Sequence, residues 1–189
     1  ATFQRKLFSR SNIGMIFINK QAFKDSLDGE FTVNPEAYNR IIGLDYNLAS
    51  ANNRWNGKFF YHQSMDAAKL DSTFAMGANI EFNTLKWEVN ASLQNIGANY
   101  NPEVGFARRV DYQRVSSSTW YNFYPGSGGI QSHGPGFDFD IYRNEKYGVT
   151  DYDVNLMYKM KFNNTGSFNV RLRKEYVYLF DSFDPTRTE

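Results

Sequence analysis

The sequence predicts an all-β chain folded as an antiparallel up-and-down meander. Three observations carry that prediction. Apolar and polar residues alternate with period two through most long segments, which is the repeat of a strand and not of a helix. The alternating segments come in neighbouring pairs separated by short polar or glycine-containing stretches. Aromatic residues make up 17% of the 189-residue chain, with 13 Tyr and 17 Phe, and such side chains favour pleated, half-buried surfaces.

In chain order, Thr2 to Phe8 and Asn12 to Lys20 read as two strands around Ser9-Arg10-Ser11. Ile13, Met15 and Phe17 share one face of the second, and Ile16 and Ile18 lie on the other. Gln21 to Ala37, with Asp28-Gly29 and Asn34-Pro35, reads as a long loop (residues 21–38). Asn39 to Ala49 and Arg54 to Met65 form a hairpin around Ser50-Ala51-Asn52-Asn53. The register expected there sets Leu48 opposite Trp55, Leu44 opposite Phe59 and Ile42 opposite Tyr61, with Asp45 facing Lys58. Asp66 to Asp71 is a short loop. Ser72 to Ile96 is the most regular hairpin, with Phe74, Met76, Ala78, Ile80 and Phe82 alternating against Asn79 and Glu81. A Thr84-Leu85 loop pairs Phe82 with Trp87, Ile80 with Val89, Ala78 with Ala91 and Met76 with Leu93. That register also places Glu81 opposite Glu88.

Gly97 to Arg108 is turn-rich (a second long loop, 97–108), and strand pattern returns near Arg109 to Val115. Ser116-Ser117-Ser118 reads as an interruption before the cluster Trp120, Tyr121, Phe123 and Tyr124. Pro125 to Gly136 reads as the most flexible stretch (125–136), and Phe137 to Asn144 alternates again. Tyr152 to Leu179 is a final hairpin around Asn164-Thr165-Gly166, with Gly166 in the left-handed position of a bulge. It pairs Phe162 with Phe168, Met160 with Val170, Tyr158 with Leu172 and Lys159 with Arg171. About ten or eleven strands and no amphipathic helix result.

Composition narrows the class. A net charge of +1 implies no nucleic-acid partner. Zero Cys excludes a disulfide framework, a thiolate zinc site and a thiol nucleophile; it also suits a bacterial envelope protein. Two His exclude a His-rich metal site. No apolar run approaches the ~18 residues of a transmembrane helix, yet a transmembrane strand needs only ~9–11 alternating residues. The negative mean hydropathy fits a soluble β protein or a barrel with a polar lumen. Ala1 to Phe8 already has strand pattern, so no signal peptide is expected at its start, and the chain is expected to be an excerpt of a longer protein. One barrel domain over 1–189 is the expected organisation. Periodicity alone does not decide whether the apolar faces turn inward, as in a lipocalin-like barrel, or outward to lipid.

Several segments carry a resemblance. They are Asn39-Arg40-Ile41-Ile42-Gly43-Leu44-Asp45-Tyr46-Asn47, Asn53-Arg54-Trp55-Asn56-Gly57-Lys58, Tyr100-Asn101-Pro102-Glu103-Val104-Gly105-Phe106-Ala107-Arg108-Arg109-Val110-Asp111-Tyr112-Gln113-Arg114, and Phe183-Asp184-Pro185-Thr186-Arg187. Together they resemble the large C-terminal domain of Bacteroidota envelope proteins described as "carbohydrate binding family 9 domain-containing". There a carbohydrate-binding module precedes a domain of unknown function that looks like an outer-membrane β-barrel. The likeness covers most of this chain but only part of that longer domain, and the Asn101 to Phe106 segment is its most specific part. The carbohydrate-binding module is absent from this sequence, so a sugar-binding role of that module does not transfer. The resemblance supplies no catalytic residues.

The expected chemistry is correspondingly spare: no catalytic residue, no cofactor and no metal. Ser132-His133 near Asp138 and Asp140 lacks the mutual geometry of a nucleophile, base and orienting group. The same-face pairs Asp138/Asp140 and Asp151/Asp153, like Glu81/Glu88, read as parts of an ion-pair lattice, and His62 as an ordinary strand residue. Candidate lumen or ligand residues are Asn79, Glu81, Glu88, Asn90, Asp153, Asn155, Lys159 and Arg171. Candidate loop residues are Asn101, Glu103, Arg108, Arg109 and Arg114, whose guanidinium groups would anchor the loop to barrel carboxylates or serve a ligand-binding or plug-like role. The leading expectation is a bacterial outer-membrane β-barrel with a structural or solute-passage role in glycan-related envelope biology. Its partners are outer-membrane lipid, a glycan or small solute, and other envelope proteins. The alternative is a soluble β domain that binds carbohydrate through Trp55, Trp120, Tyr121 and Tyr124. A hydrolase is a third class without support in these residues.

Overall fold

The computed structural model describes residues 1–8, 10–21, 38–68 and 71–180, and every regular element in them is a strand. The strands are β1 (Thr2–Leu7), β2 (Ser11–Gln21), β3 (Tyr38–Ala49), β4 (Trp55–Asp66), β5 (Phe74–Asn83), β6 (Trp87–Ile96), β7 (Tyr112–Tyr121), β8 (Ile130–Asn144), β9 (Gly148–Phe162) and β10 (Ser167–Val177). They form a single ten-stranded sheet in sequence order, and each neighbouring pair is antiparallel. The predicted meander is therefore present. The sheet does not close: β1 and β10 each pair with one strand. Among the described residues no helix is long and apolar enough to cross a membrane, which says nothing of crossing by strands. The expected loop between β2 and β3 and the Phe183 to Arg187 segment fall outside the described residues.

The predicted face of every strand residue in the three hairpins holds, but the register within that face is displaced by two residues in each. Ala78 pairs with Leu93, Ile80 with Ala91 and Phe82 with Val89, because the tip is Leu85-Lys86 and not Thr84-Leu85. Thr84 closes it, donating N–H to the Trp87 carbonyl at 2.8 Å while its Oγ1 accepts the Trp87 N–H at 2.9 Å. Between β3 and β4, Leu44 pairs with Tyr61 and Asn47 with Lys58. There Ser50 meets Trp55, Asn52 Oδ1 accepts the Arg54 N–H at 3.1 Å, and Asn53 adopts φ 57°, giving a four-residue tip. Between β9 and β10, Phe168 pairs with Met160, Val170 with Tyr158 and Asn169 with Lys159. The Phe162 N–H bonds the Gly166 carbonyl, and Thr165, not Gly166, takes the positive φ of 70°. Asn164 Oδ1 accepts the Gly166 N–H at 3.1 Å and stabilises that bend.

Two expected interruptions are strand. Ser116 to Ser118 continue β7, paired with Ser92, Ala91 and Asn90 on one side and with Asp140, Phe139 and Asp138 on the other. The Ser117 hydroxyl donates to the Asn90 carbonyl at 3.1 Å. Ile130 to Gly136 belongs to β8 and is laddered to β9, with one bulge between Ile130 and Ser132, so the flexible stretch shrinks to the residues before it. In the other direction, Arg109 to Asp111 lie outside β7, with Asp111 at φ 59° ending the preceding loop.

The sheet curves. Ile16 of β2, Phe60 of β4, Tyr112 of β7 and Tyr142 of β8 all line one cavity of about 720 Å³. Six strand spacings of ~4.8 Å would put β2 and β8 ~29 Å apart on a flat sheet, so the face these residues share is concave. It is the polar face. The buried apolar side chains among the described residues are Ile41, Ala75 and Met157, against eight buried polar ones that include Asn39, Ser64, Thr150 and Asn155. The convex face carries exposed apolar side chains on successive strands: Met15, Leu44, Tyr61, Met76, Leu93, Val115, Phe137, Leu156 and Leu172. Among the described residues the convex exterior is apolar and no conventional apolar core is present.

Because the chain has no Cys, oxidation tests the register directly. An Ala78→Cys/Leu93→Cys pair should cross-link, since directly paired residues fall within disulfide reach. Ala78→Cys/Ala91→Cys, a diagonal pair, should form at least several-fold less cross-link on non-reducing gels.

Candidate functional site

The site is the concave face with the loop that lies in it. On β7 to β10 the alternation that turns apolar residues outward turns Arg114, Asp138, Asp140, Asp151, Asp153, Asn155, Arg171 and Arg173 inward. Each close carboxylate has its own donor. Arg114 grips Asp140 with two bonds of 2.7 and 2.6 Å. Arg173 binds Asp153, with its Nε at 2.8 Å, and also lies 3.2 Å from Glu175. Asn155 Nδ2 donates to Asp138 at 2.8 Å and to Asp153 at 2.6 Å. Arg109, from the loop, donates to Asp151 at 2.8 Å and to the buried Thr150 hydroxyl at 3.0 Å. The same-face carboxylates thus belong to a hydrogen-bonded lattice, in which the buried Asn155 Oδ1 is left without a hydrogen-bond partner.

Glu81 and Glu88 do not face each other. With the shifted register Glu81 lies opposite Asn90 and Glu88 opposite Asn83. Asn90 donates to Glu81 at 3.3 Å, and Asn79 donates to Asn90 at 3.2 Å. Glu88 accepts from the buried Asn122 at 2.8 Å, with Lys159 Nζ 4.0 Å away. Asn122, Asn39, Ser64 and Thr150 are site residues that sequence reasoning missed. For the two asparagines the available signal was an amide residue inside or beside a strand, where propensity disfavours it; Thr150 and Ser64 carried no such signal. Lys159 lies opposite Asn169, not Arg171, and its ammonium sits 4.3 Å from the centre of the Trp120 ring. Trp120 is consequently a half-buried inward residue and not an exposed sugar platform. Its ring lies on Gly136, its direct partner in β8. A Cβ on Gly136 would sit 2.5 Å from the ring.

Arg171 lies on β10 opposite Met157. His62 pairs with Gly43 and lies 3.4 Å from Asp45. His133 is on the convex face, stacked 5.1 Å from Phe123, with Nδ1 2.6 Å from the Tyr158 hydroxyl. Asp138 and Asp140 are on the opposite face from it, so no Ser/His/Asp constellation is built from Ser132 and His133.

The loop between β6 and β7 is held at several points, from Gly97 to Gly105 and again at Arg109 and Asp111. Gly97 donates to Phe74 O, and Asn99 donates to Ser72 O and, through Nδ2, to Asp71 O. The Asn101 N–H donates to Ser64 Oγ at 3.1 Å, and its carbonyl accepts Asn39 Nδ2 at 2.8 Å. Asn39 Oδ1 accepts the Glu103 N–H at 3.3 Å, while the Glu103 carboxylate pairs with Lys20 of β2 at 2.8 Å. The Gly105 N–H bonds the Pro102 carbonyl, closing a turn in the stretch that the sequence marks as turn-rich. Burial pushes the Tyr100 phenol above its ordinary pKa, keeping it neutral. At the far end Asn144 Nδ2 donates to the Asp111 carbonyl and carboxylate at 2.8 and 2.7 Å. Of the candidate loop residues, Asn101, Glu103 and Arg109 make anchoring contacts; Arg114 is not in the loop but in β7, where it binds Asp140 of β8. Arg108 is exposed and lines the cavity. No protein-family model, curated protein or solved structure matches the chain.

Asn39 is fully buried and holds two backbone groups of the loop, the Asn101 carbonyl and the Glu103 N–H. Asn39→Ala should lower stability by about 1–3 kcal/mol in denaturant titration, because buried backbone partners lose their bonds. Glu103→Gln should cost under ~0.5 kcal/mol, since that ion pair is exposed.

Proposed function

We propose that this sheet is the wall of a bacterial outer-membrane β-barrel, with lipid against its convex face and water along its concave one. The observation that carries the reading is the inversion of polarity: exposed apolar side chains run along β2 to β10, while the buried side chains are mostly polar and hydrogen-bonded. Monomeric proteins in water rarely leave a contiguous apolar surface beyond a few hundred Å². A ten-residue strand also has the right reach, since it rises ~33 Å, or about 25 Å at the tilt of barrel strands.

Aromatic rings support the same reading. One row lies at the end of the sheet with the short tips: Trp55 on Phe82 at 4.6 Å, Trp87 on Tyr121 and Tyr121 on Phe123 at 4.7 Å each. A second lies at the opposite end, with Tyr61 on Phe74 and Tyr152 on Tyr176. Ile80, Val89, Leu93, Val154 and Leu156 occupy the band between them. Two aromatic girdles about an aliphatic band match the two interfaces of a bilayer.

On this reading the role is structural or solute-passing, in glycan-related envelope biology. The glycan link rests on the resemblance to the carbohydrate-binding-family-9-containing envelope proteins. Lipid is the principal partner. The lattice of Arg114, Asp140, Asp153, Asn155 and Arg173 stiffens the wall, and the inward loop narrows any path along it. A spanning barrel has no free edge, so the reading requires partners for the outer edges of β1 and β10.

The protein should need detergent for extraction and migrate faster on gels before heating than after; purification without detergent rejects the proposal. Leu156→Arg gives a second test. Facing lipid near mid-bilayer, it should cost about 2–4 kcal/mol in refolding into vesicles. An exposed position in water would change stability by no more than ~0.5 kcal/mol.

A further inference from the structure

We infer that the cavity between the β6–β7 loop and the concave face is a binding site for a single-chain amphiphile with an anionic head, such as a long-chain carboxylate. The inference holds whichever medium meets the convex face. Most inward positions are polar, but one island is not: Ile16, Ile18, Ile41, Phe60, Ala75 and Ile96 all turn inward at the end where the loop lies. The loop lies over that island, with Tyr100 and Pro102 in the cavity lining and Val104 and Phe106 at its rim, and leaves about 720 Å³ unfilled. That volume lies within the ~300–1,000 Å³ of small-molecule sites, and an apolar lining with few polar groups is their usual character.

Polar side chains at the site include His62, Arg109, Tyr112 and Tyr142, but the exposed cation among its lining residues is Arg108. Arg108 lines the cavity and is exposed, as are Val104 and Phe106, which mark the open side. Its neighbours are committed elsewhere: Arg109 to Asp151 and Thr150, Arg114 to Asp140. Among the described residues Arg108 has no carboxylate partner. A guanidinium suited to bidentate capture of a carboxylate thus stands beside an apolar chamber. A neutral sugar would leave the isoleucines unmatched, and a small inorganic anion would leave the chamber empty.

The test uses the full chain and a diazirine-bearing dodecanoate, with adducts mapped by mass spectrometry. Photolysis should label the β6–β7 loop and the inward residues of β2 and β4, and unlabelled dodecanoate should compete. The matching diazirine dodecanol should label these positions at least five-fold less. Arg108→Gln should abolish the preference for the acid, and Arg108→Lys should retain most of it, with gel migration unchanged in both. Adducts confined to convex-face residues would overturn the inference. So would equal labelling by acid and alcohol, or an acid preference that survives Arg108→Gln.

Discussion

A polar group taken from water must find a partner inside the protein, and the rest of this structure depends on that requirement. The described chain buries more polar side chains than apolar ones, so it is not held by an oily centre. Cross-strand and inward-loop contacts hold it instead. Arg114 on Asp140, Arg173 on Asp153 and Asn155 between Asp138 and Asp153 tie β7 to β10. Asn79, Asn90 and Glu81 do the same for β5 and β6. Single pairs that are a quarter to a half exposed contribute little each. Their effect lies in connection, because removing one partner strands a carboxylate that several neighbours share.

The same requirement limits the outside. Backbone groups in a meander are satisfied strand to strand, which leaves the convex surface free to be apolar on successive strands. That leaves the outer edges of β1 and β10 as the places where the ladder ends. Every residue of β10 is exposed on both faces, and such an edge is a template for another strand. An apolar convex face and an unpaired edge are two separate liabilities in water. Closure into a barrel in lipid would remove both.

The sequence made the faces legible and left the partners open. Period-two alternation fixes which side of the sheet a residue takes, and a slip of one residue would reverse it. A slip of two reverses nothing: Ala78 meets an apolar residue whether it pairs with Ala91 or Leu93. Tip chemistry decided each case, through Thr84 Oγ1, the Ser50–Asn52–Asn53 cluster and the Asn164 side chain. Local composition misled where strand neighbours overrode it. Three serines and the glycines of 130–136 looked like breaks, yet Asn90 and Asp138 to Asp140 ladder the first, and β9 and Trp120 pack the second. Of the candidate site, the inward carboxylates and the loop arginines were legible as a pattern. Which acid each would meet was not, because Arg109 and Asp151 are 42 residues apart and meet only after β8 and β9 have folded beside the loop.

One local irregularity explains why the loop lies where it does. In β2 the run Met15-Ile16-Phe17-Ile18 is apolar on both faces, and β3 adds Ile41 beside Ile42. Alternation has lapsed there, so an apolar patch lies on the otherwise polar side of the sheet. Left bare it would oppose the hydration of its surroundings; covered by a backbone segment it would bury unpaired peptide groups. The β6–β7 loop resolves both, placing Pro102 and Val104 on the patch while Asn39 and Ser64 take up its backbone donors and acceptors. The fit is incomplete, because a loop pinned at Asn101 and Arg109 cannot also sink to fill the volume beneath it. The cavity follows from the same anchors that hold the loop in place.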